Sequence, residues 1–346
     1  MIKTALRQNQ VISGLERKDA YPHKVLSSVI KVEETHISWI FLTGLYAYKV
    51  KKEVKFGKVL NFSSLRLRKK FCQKEVAINQ ALCSDMYKGV VKIVKQNDNM
   101  RIANLEHKGT PLEYAVKMLE IPQKFRMDNL ITANKVGLNI IKKLTEILVK
   151  FHFSTLTNAK IKRYGQPRFM KKKIRENFET LAKLDTTNQI VHSKIQKRLN
   201  SFIACNKPLF YKRIGEDKIR EIHGDLYLRN IFILRNNSRF YLYDRLEFND
   251  SLRYADTAED VAHLSMDLDY YKRNDLRRYF ISKYIERSND NNLQEILYFL
   301  MCYKACVRAK VSLFRAKTEI ISEKRRTQLE ESKDLLELAG SYLEWL

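Results

Sequence analysis

The chain has 346 residues, 45% of them hydrophobic and 11% aromatic, which is enough apolar material for one large domain or two moderate ones. Ten glycines and five prolines exclude collagen-like and low-complexity chains, and apolar runs no longer than 38-SWIFL-42 exclude a membrane-spanning helix. The net charge of +26 points either to a polyanion or phosphate-rich ligand or, with equal weight, to a Lys-rich composition with a solvated surface.

In chain order, residues 1–24 form an N-terminal extension. It opens MIKTALRQNQ, with no apolar core after its first Lys, so no secretory leader and a cytoplasmic location are expected. Residues 27–60 read as strands, through VIKVEE, SWIFLT and, after a Gly turn, GLYAYKVKK. Alternation places Ala47, Lys49 and Lys51 on one face of the last of these. Residues 64–83 read as a helix capped by Ser63 or Ser64. Three short strands follow (VVKIVKQ, MRIANLE and LEYAVKML), the last two joined by a turn at 108–111. From about residue 128 the period becomes helical, with Leu138, Ile141, Leu144 and Leu148 at helical spacing. A helical, basic stretch covers 168–203, strands return around 230–244, and helices fill 255–346. The pattern predicts an α+β fold: a small β-rich lobe over 25–118 and a larger, mainly helical lobe over 119–346. Five cysteines lack CxxC or CxxH spacing and read as free, mostly buried thiols rather than a zinc site or disulfide framework.

The chemistry concentrates in 222-IHGDLYLRNIFIL-234 and 243-YDRLEFND-250, where polar side chains interrupt a buried pattern. The spacing is H-G-D-x-x-x-x-N, with Asp244 closing the next hairpin, whose turn is expected at Asn236–Asn237. An Asp at 225 suits acceptance of a proton from an attacking hydroxyl. Asn230 and Asp244 offer hard oxygens to Mg²⁺, which takes few protein ligands. Isolated, His-Gly-Asp would be a turn; the added Asn and strand-terminal Asp favour phosphotransfer. Phosphate transfer also asks for a cation held by an acid. The A-x-K of Ala47–Lys49 has the form of a phosphate-binding strand, which favours Lys49, while Lys51 and Lys52 read as a solvated strand end. Glu75 is its natural partner, as the acid in the helix with no other before Asp85. No glycine-rich loop is present. Residues 34-ETHISW-39 stand in its place, with Ser38 as a candidate phosphate contact, and the segment 114-YAVKMLEIP-122, with Val116 and Met118, is the candidate adenine-binding hinge.

The set Ala47, Lys49, Glu75, His223-Gly224-Asp225, Asn230 and Asp244 resembles the aminoglycoside phosphotransferase and choline kinase branch of the kinase-like fold. The phrases 35-THISWIFLTGLYAYKVKK-52, 223-HGDLYLRNI-231 and 247-EFNDSLRYADTAEDVAHLSMDL-268 resemble a bacterial subgroup often fused to a P-loop nucleotide kinase. The resemblance covers about 25–335. It implies a bilobal kinase-like fold with ATP in the cleft, Asp225 as catalytic base, Asn230 and Asp244 as Mg²⁺ ligands, Lys49 on the phosphates and Glu75 orienting it. It also implies that Asp260 braces the catalytic loop. Three departures stand out. There is no G-x-x-x-x-G-K-[ST], Tyr227 stands where relatives often carry His, and Arg245 follows Asp244 where a small residue is usual. Arg245 is expected to pair with Glu247.

The acceptor is expected to be a small, non-cationic hydroxyl compound, because the chain is basic where its helical lobe would meet substrate. Residues 161–220 hold sixteen Lys or Arg against five Asp or Glu, and 303–326 hold eight against two. Both segments are candidates for polyanion contact, the second through Lys304, Arg308 and Arg315 on one helix face. Two alternatives remain open: AMP transfer by a kinase-like fold, and a kinase-like module that binds RNA or phosphate without turnover.

Overall fold

The computed structural model describes residues 2–57, 60–234 and 238–346, and of residues 2–7 the backbone alone. The expected turn at Asn236–Asn237 lies outside the described residues. The chain forms two compact units, one of residues 1–125 with 241–250, the other of 126–240 with 251–346.

The first unit begins with helix α1 (Ile2–Leu15) and a six-stranded antiparallel sheet. Its strands are β1 (Lys31–Glu34), β2 (Ser38–Leu42), β3 (Tyr46–Lys51), β6 (Tyr87–Gln96), β7 (Asn99–Ala103) and β8 (Glu113–Leu119), in the order β1-β2-β3-β8-β6-β7. A small hairpin of β4 (Lys55–Phe56) and β5 (Leu60–Asn61) leads into helix α2 (Leu65–Cys83). That helix starts where Ser64, extended at φ −122°, accepts the Leu67 amide on its hydroxyl. Such a cap stabilises a helix start by about 1 kcal/mol.

Register decides which side chains share a face, because residues directly opposite in an antiparallel pair point the same way. Phe41 faces Tyr48, and Val50 faces Ala115, which faces Val91. These side chains form a core with Val11 and Leu15 of α1 and with Ala20 and Tyr21 after it. The N-terminal segment is therefore part of this unit's core and not an appendage. Gln8 of α1 fixes it further, donating to the Lys51 carbonyl at 3.1 Å and to Glu113 at 2.9 Å. On the opposite face of the sheet, Ile40 faces Lys49, which faces Val116, while Ser38 faces Lys51 and Ala47 faces Met118.

The second unit is mainly helical. Its helices are α3 (Met127–Thr132), α4 (Leu138–Ser154), α5 (Ala159–Lys162), α6 (Pro167–Leu184), α7 (Gln189–Cys205), α8 (Lys207–Gly215), α9 (Asp250–Arg253), α10 (Ala258–Tyr270), α11 (Asn274–Ser288), α12 (Leu293–Thr318) and α13 (Ser322–Ser341). Short strands β9 (Ile219–Glu221) and β12 (Tyr254–Asp256) pair antiparallel, with Tyr254 opposite Glu221 and Asp256 opposite Ile219. In that antiparallel pair the His223–Asp225 loop leaves beyond Glu221, at the Tyr254 end, and α10 follows from Asp256 at the opposite end of the ladder. Strands β10 (Ile231–Leu234) and β11 (Arg239–Leu242) form a hairpin. Asn230 directly precedes the first, and Asp244 follows the second by two residues. Among the described residues no helix is long and apolar enough to cross a membrane. All five cysteines are free thiols, and only Cys205 is exposed.

Candidate active site

The first unit gathers two lysines and three carboxylates. Lys49 Nζ lies 2.9 Å from Glu75 and 2.5 Å from Asp244. Lys51 Nζ lies 2.5 Å from the other Glu75 oxygen and also bonds Glu247. Glu75 projects from α2 onto the Lys49 face of the sheet and is fully buried. Burial would push its carboxyl up, but the two ammonium groups outweigh burial and hold it at about 2. Burial works against a charged Lys49, yet Asp244 and Glu75 carry it well above its ordinary value. Glu247 is pushed up by burial despite Lys51. The pair Lys49–Glu75 was expected. The burial of Lys51 corrects its reading as a solvated strand end: its side chain is 0% exposed, closed in by Glu75, Glu247 and the Phe62 ring at 4.9 Å. The alternation that placed Lys51 on the face of Lys49 was the available signal.

Asp244 has φ +63°, in the left-handed region that an Asp tolerates at a cost. Its amide donates to the Tyr87 hydroxyl at 3.2 Å, and the next amide, of Arg245, donates to Asn79 at 2.9 Å. These bonds hold the turn that aims the Asp244 carboxylate at Lys49. The carboxylate remains 41% exposed, which leaves it accessible from solvent. Glu247 is taken by Lys51, and the Arg245 guanidinium donates to the Ile78 carbonyl.

The structure also places the candidate hinge and Ser38. Val116 and Met118 lie in β8, a strand flanked by β3 and β6, so their backbone groups are used in the ladder. Their side chains lie on the Lys49 face. Ser38 is fully buried, its amide is held by Thr35 Oγ1 at 2.9 Å, and its hydroxyl has no partner among the described residues. The loop before it is thus closed by Thr35, which also accepts from Ile37, rather than by glycines.

The second unit holds the His-Gly-Asp loop. Gly224 has φ +88°, which a side chain would strain, so the glycine is what allows the sharp turn. The amides of His223 and Gly224 donate to the Asp260 carboxylate at 2.7 and 2.9 Å, and the His152 ring lies 3.1 Å from it. Burial opposes the charge of Asp260, but His152, His223 and the Gly224 amide keep its carboxyl low. Two helical turns on, Asp267 accepts the Leu228 amide at 2.8 Å and pairs with Arg308 at 2.7 Å. Two buried acids of α10 therefore hold the loop at both ends. Asn230 donates Nδ2 to the Asp225 carbonyl at 2.9 Å and to its carboxylate at 3.3 Å. That leaves the amide oxygen of Asn230 as its donor to a cation. The Asp225 side chain is 34% exposed.

The amide oxygen of Asn230 in the second unit and the carboxylate of Asp244 in the first are each hard oxygen donors of the kind Mg²⁺ takes. Among the described residues no group of three or more His, Cys, Asp or Glu is arranged to hold a metal. The cationic face expected on α12 is different from its prediction. Lys304 is buried against Glu259 at 3.0 Å, and Arg308 is buried between Asp267 and Glu331. Neither is a phosphate-tracking side chain, because each already neutralises a buried acid. Sequence reasoning also missed His263. Its signal was present: Asp260, His263 and Asp267 recur at helical spacing along Ala258–Tyr270.

No family model matches the chain. Uncharacterised proteins of Mycobacterium tuberculosis and Mycobacterium bovis are each 30% identical to it over 289 residues, 83% of this chain. The chain spans 55% of the length of these relatives. A choline/ethanolamine kinase family protein from Mesorhizobium loti has a similar structure, with a TM-score of 0.52 and 11% identity, over 97% of this chain and 100% of that one. A putative aminoglycoside phosphotransferase from Ralstonia eutropha gives 0.51 and 11%, over 96% and 98%. At such identities the likeness establishes the fold.

Proposed function

We propose that this chain, which has the kinase-like α+β fold of choline kinase-like and aminoglycoside phosphotransferase-like structures, is an ATP- and Mg²⁺-dependent phosphotransferase. Its acceptor is a hydroxyl on a small, non-cationic compound. The observation that carries this reading is the buried Lys49, held between Glu75 and the partly exposed Asp244. A lysine fixed by two acids keeps its charge and its direction, which is what binding a phosphate requires. Asn230 and Asp244 would hold Mg²⁺, which supplies charge neutralisation on the nucleotide phosphates when bound. Asp225 accepts the proton of the acceptor hydroxyl, in a loop whose amides are fixed by Asp260. The non-cationic acceptor follows from the net charge of +26, which repels a polycation.

The test uses ATP labelled on the α- or γ-phosphate, a metabolite pool as acceptor, and Asp225→Ala as the blank. The expected result is transfer of the γ-label alone, reduced by about 10²–10⁴ in the variant. Transfer of the α-label would instead identify AMP transfer. Equal inertness of both proteins, with RNA binding that weakens steeply with salt, would identify a non-catalytic module.

A further inference from the structure

Helix α10 is buried almost all round and carries Glu259, Asp260, His263, Asp267 and Asp269 in its interior-facing positions. Each of its acids has a partner. Glu259 pairs with Lys173 and Lys304, and Asp269 with Arg277 and Tyr342. Asp260 and Asp267 hold the catalytic loop. His263 breaks the rule. It is 1% exposed, and neither ring nitrogen has a hydrogen-bond partner among the described residues. Native structures rarely leave such a group unpaired without a reason.

Its surroundings indicate the reason. The ring lies nearly parallel to Tyr227, with centroids 5.4 Å apart, and Nδ1 is 3.8 Å from Asp225 Oδ1. On the other side of the same carboxylate, Asn230 Nδ2 stands 3.3 Å from Oδ2. Burial lowers the basicity of the ring strongly, and Lys304, Arg308 and His223 lower it further, so it is neutral at neutral pH with one N–H. We propose that His263 is a positioning residue: it carries that proton on Nδ1 and donates it to Asp225 Oδ1, so that the carboxylate is gripped from both sides. This rests on the reading of Asp225 as the base of phosphotransfer. A small rotation of the partly exposed Asp225 closes the 3.8 Å gap, and bonds of this kind tighten when substrate binds.

Two roles for His263 rank its variants in opposite orders. If the ring only fills the core against Tyr227, Phe replaces it better than Asn. If it donates from Nδ1, Asn replaces it better, because its amide nitrogen can stand in for Nδ1. The first measurement is ¹⁵N NMR of the histidine rings in the full-length protein, with His263→Phe assigning the signals. Protonated Nδ1 and bare Nε2, with that preference lost in Asp225→Ala, is the expected result. A charged ring or an Nε2–H tautomer overturns the proposal. The second is Mg-ATP hydrolysis with water as acceptor. His263→Phe should lower kcat about tenfold with KM for ATP unchanged, and His263→Asn should retain most activity. Activity in the Phe variant equal to or above that of the Asn variant also overturns it. A wild-type protein that turns over no ATP would defeat the phosphotransfer reading, while the tautomer still decides the role of His263. The tautomer likewise decides it if the variants melt.

Discussion

Lys49 and Lys51 occupy the same face of the same strand, two residues apart, and share Glu75. Their second partners separate them. Lys49 meets Asp244, which is 41% exposed, whereas Lys51 meets Glu247, which is buried. Lys49 is therefore tied to a solvent-accessible carboxylate, and Lys51 lies wholly among buried groups. Removing the lower cation would leave two buried carboxylates short of charge. Lys51→Met should cost about 3–5 kcal/mol of unfolding free energy, the scale for stranding a buried charge. Urea denaturation would show it, and a variant as stable as wild type would contradict the network. Lys49→Met leaves Lys51 on Glu75. It should abolish ATP turnover while lowering the urea midpoint less than Lys51→Met does.

Helix α1 and helix α10 do comparable work at the level of elements. Each backs a segment of the candidate site, the first by apolar packing and the second by hydrogen bonds. Leu15 is fully buried in the core beneath the sheet that carries Lys49 on its far side. Leu15→Ala should cost about 2–5 kcal/mol through lost burial and the cavity left behind. A urea titration checks this, with a lower midpoint and an unchanged slope expected. The strand β8 illustrates the reverse dependence. Because both its edges are paired, it gives rigidity to the Lys49 face and loses its backbone as a ligand to a base.

For the whole molecule, buried carboxylates set the response to acid. Glu75 is held at about 2, and Glu259, Asp260 and Glu331 also lie below their ordinary values despite burial, through their cationic and hydrogen-bond partners. A carboxyl lowered by folding contributes stability that is present above its unfolded value, near 4, and lost as pH falls through the folded one. Glu247 and Asp269 are raised by burial and act in the opposite sense, so their contributions diminish as pH rises through their folded values. The lowered group is larger and better paired. Melting temperature should therefore fall steeply between about pH 4 and 2. Glu75→Gln should flatten that limb as well as lower the plateau. A melting temperature independent of pH across this window would count against the paired state of these acids.

Much of the site was legible because its signals are local. His223-Gly224-Asp225 and Asn230 fall within eight residues, period-two alternation assigned Lys49 to a face, and Glu75 stood alone as the acid of its helix. The strands of the sheet from residue 31 on, the helix after Ser64 and the long helices from Leu138 followed from the same short-range periods, whereas helix α1 and the β9–β12 pair did not. What the sequence could not supply was the partner of each buried charge. Lys51 meets acids 24 and 196 residues away, and no local pattern shows that both will be desolvated around it. Tertiary structure likewise turned the N-terminal segment into core, because an amphipathic helix declares an apolar face without naming what covers it. It converted the basic stripe at Lys304 and Arg308 into counter-ions for buried acids. It alone brought His263 within reach of Asp225 across 38 residues of sequence. The chain determined which chemical groups were present and in what periodic order. Packing decided which of them lost water, and so which charges had to find one another.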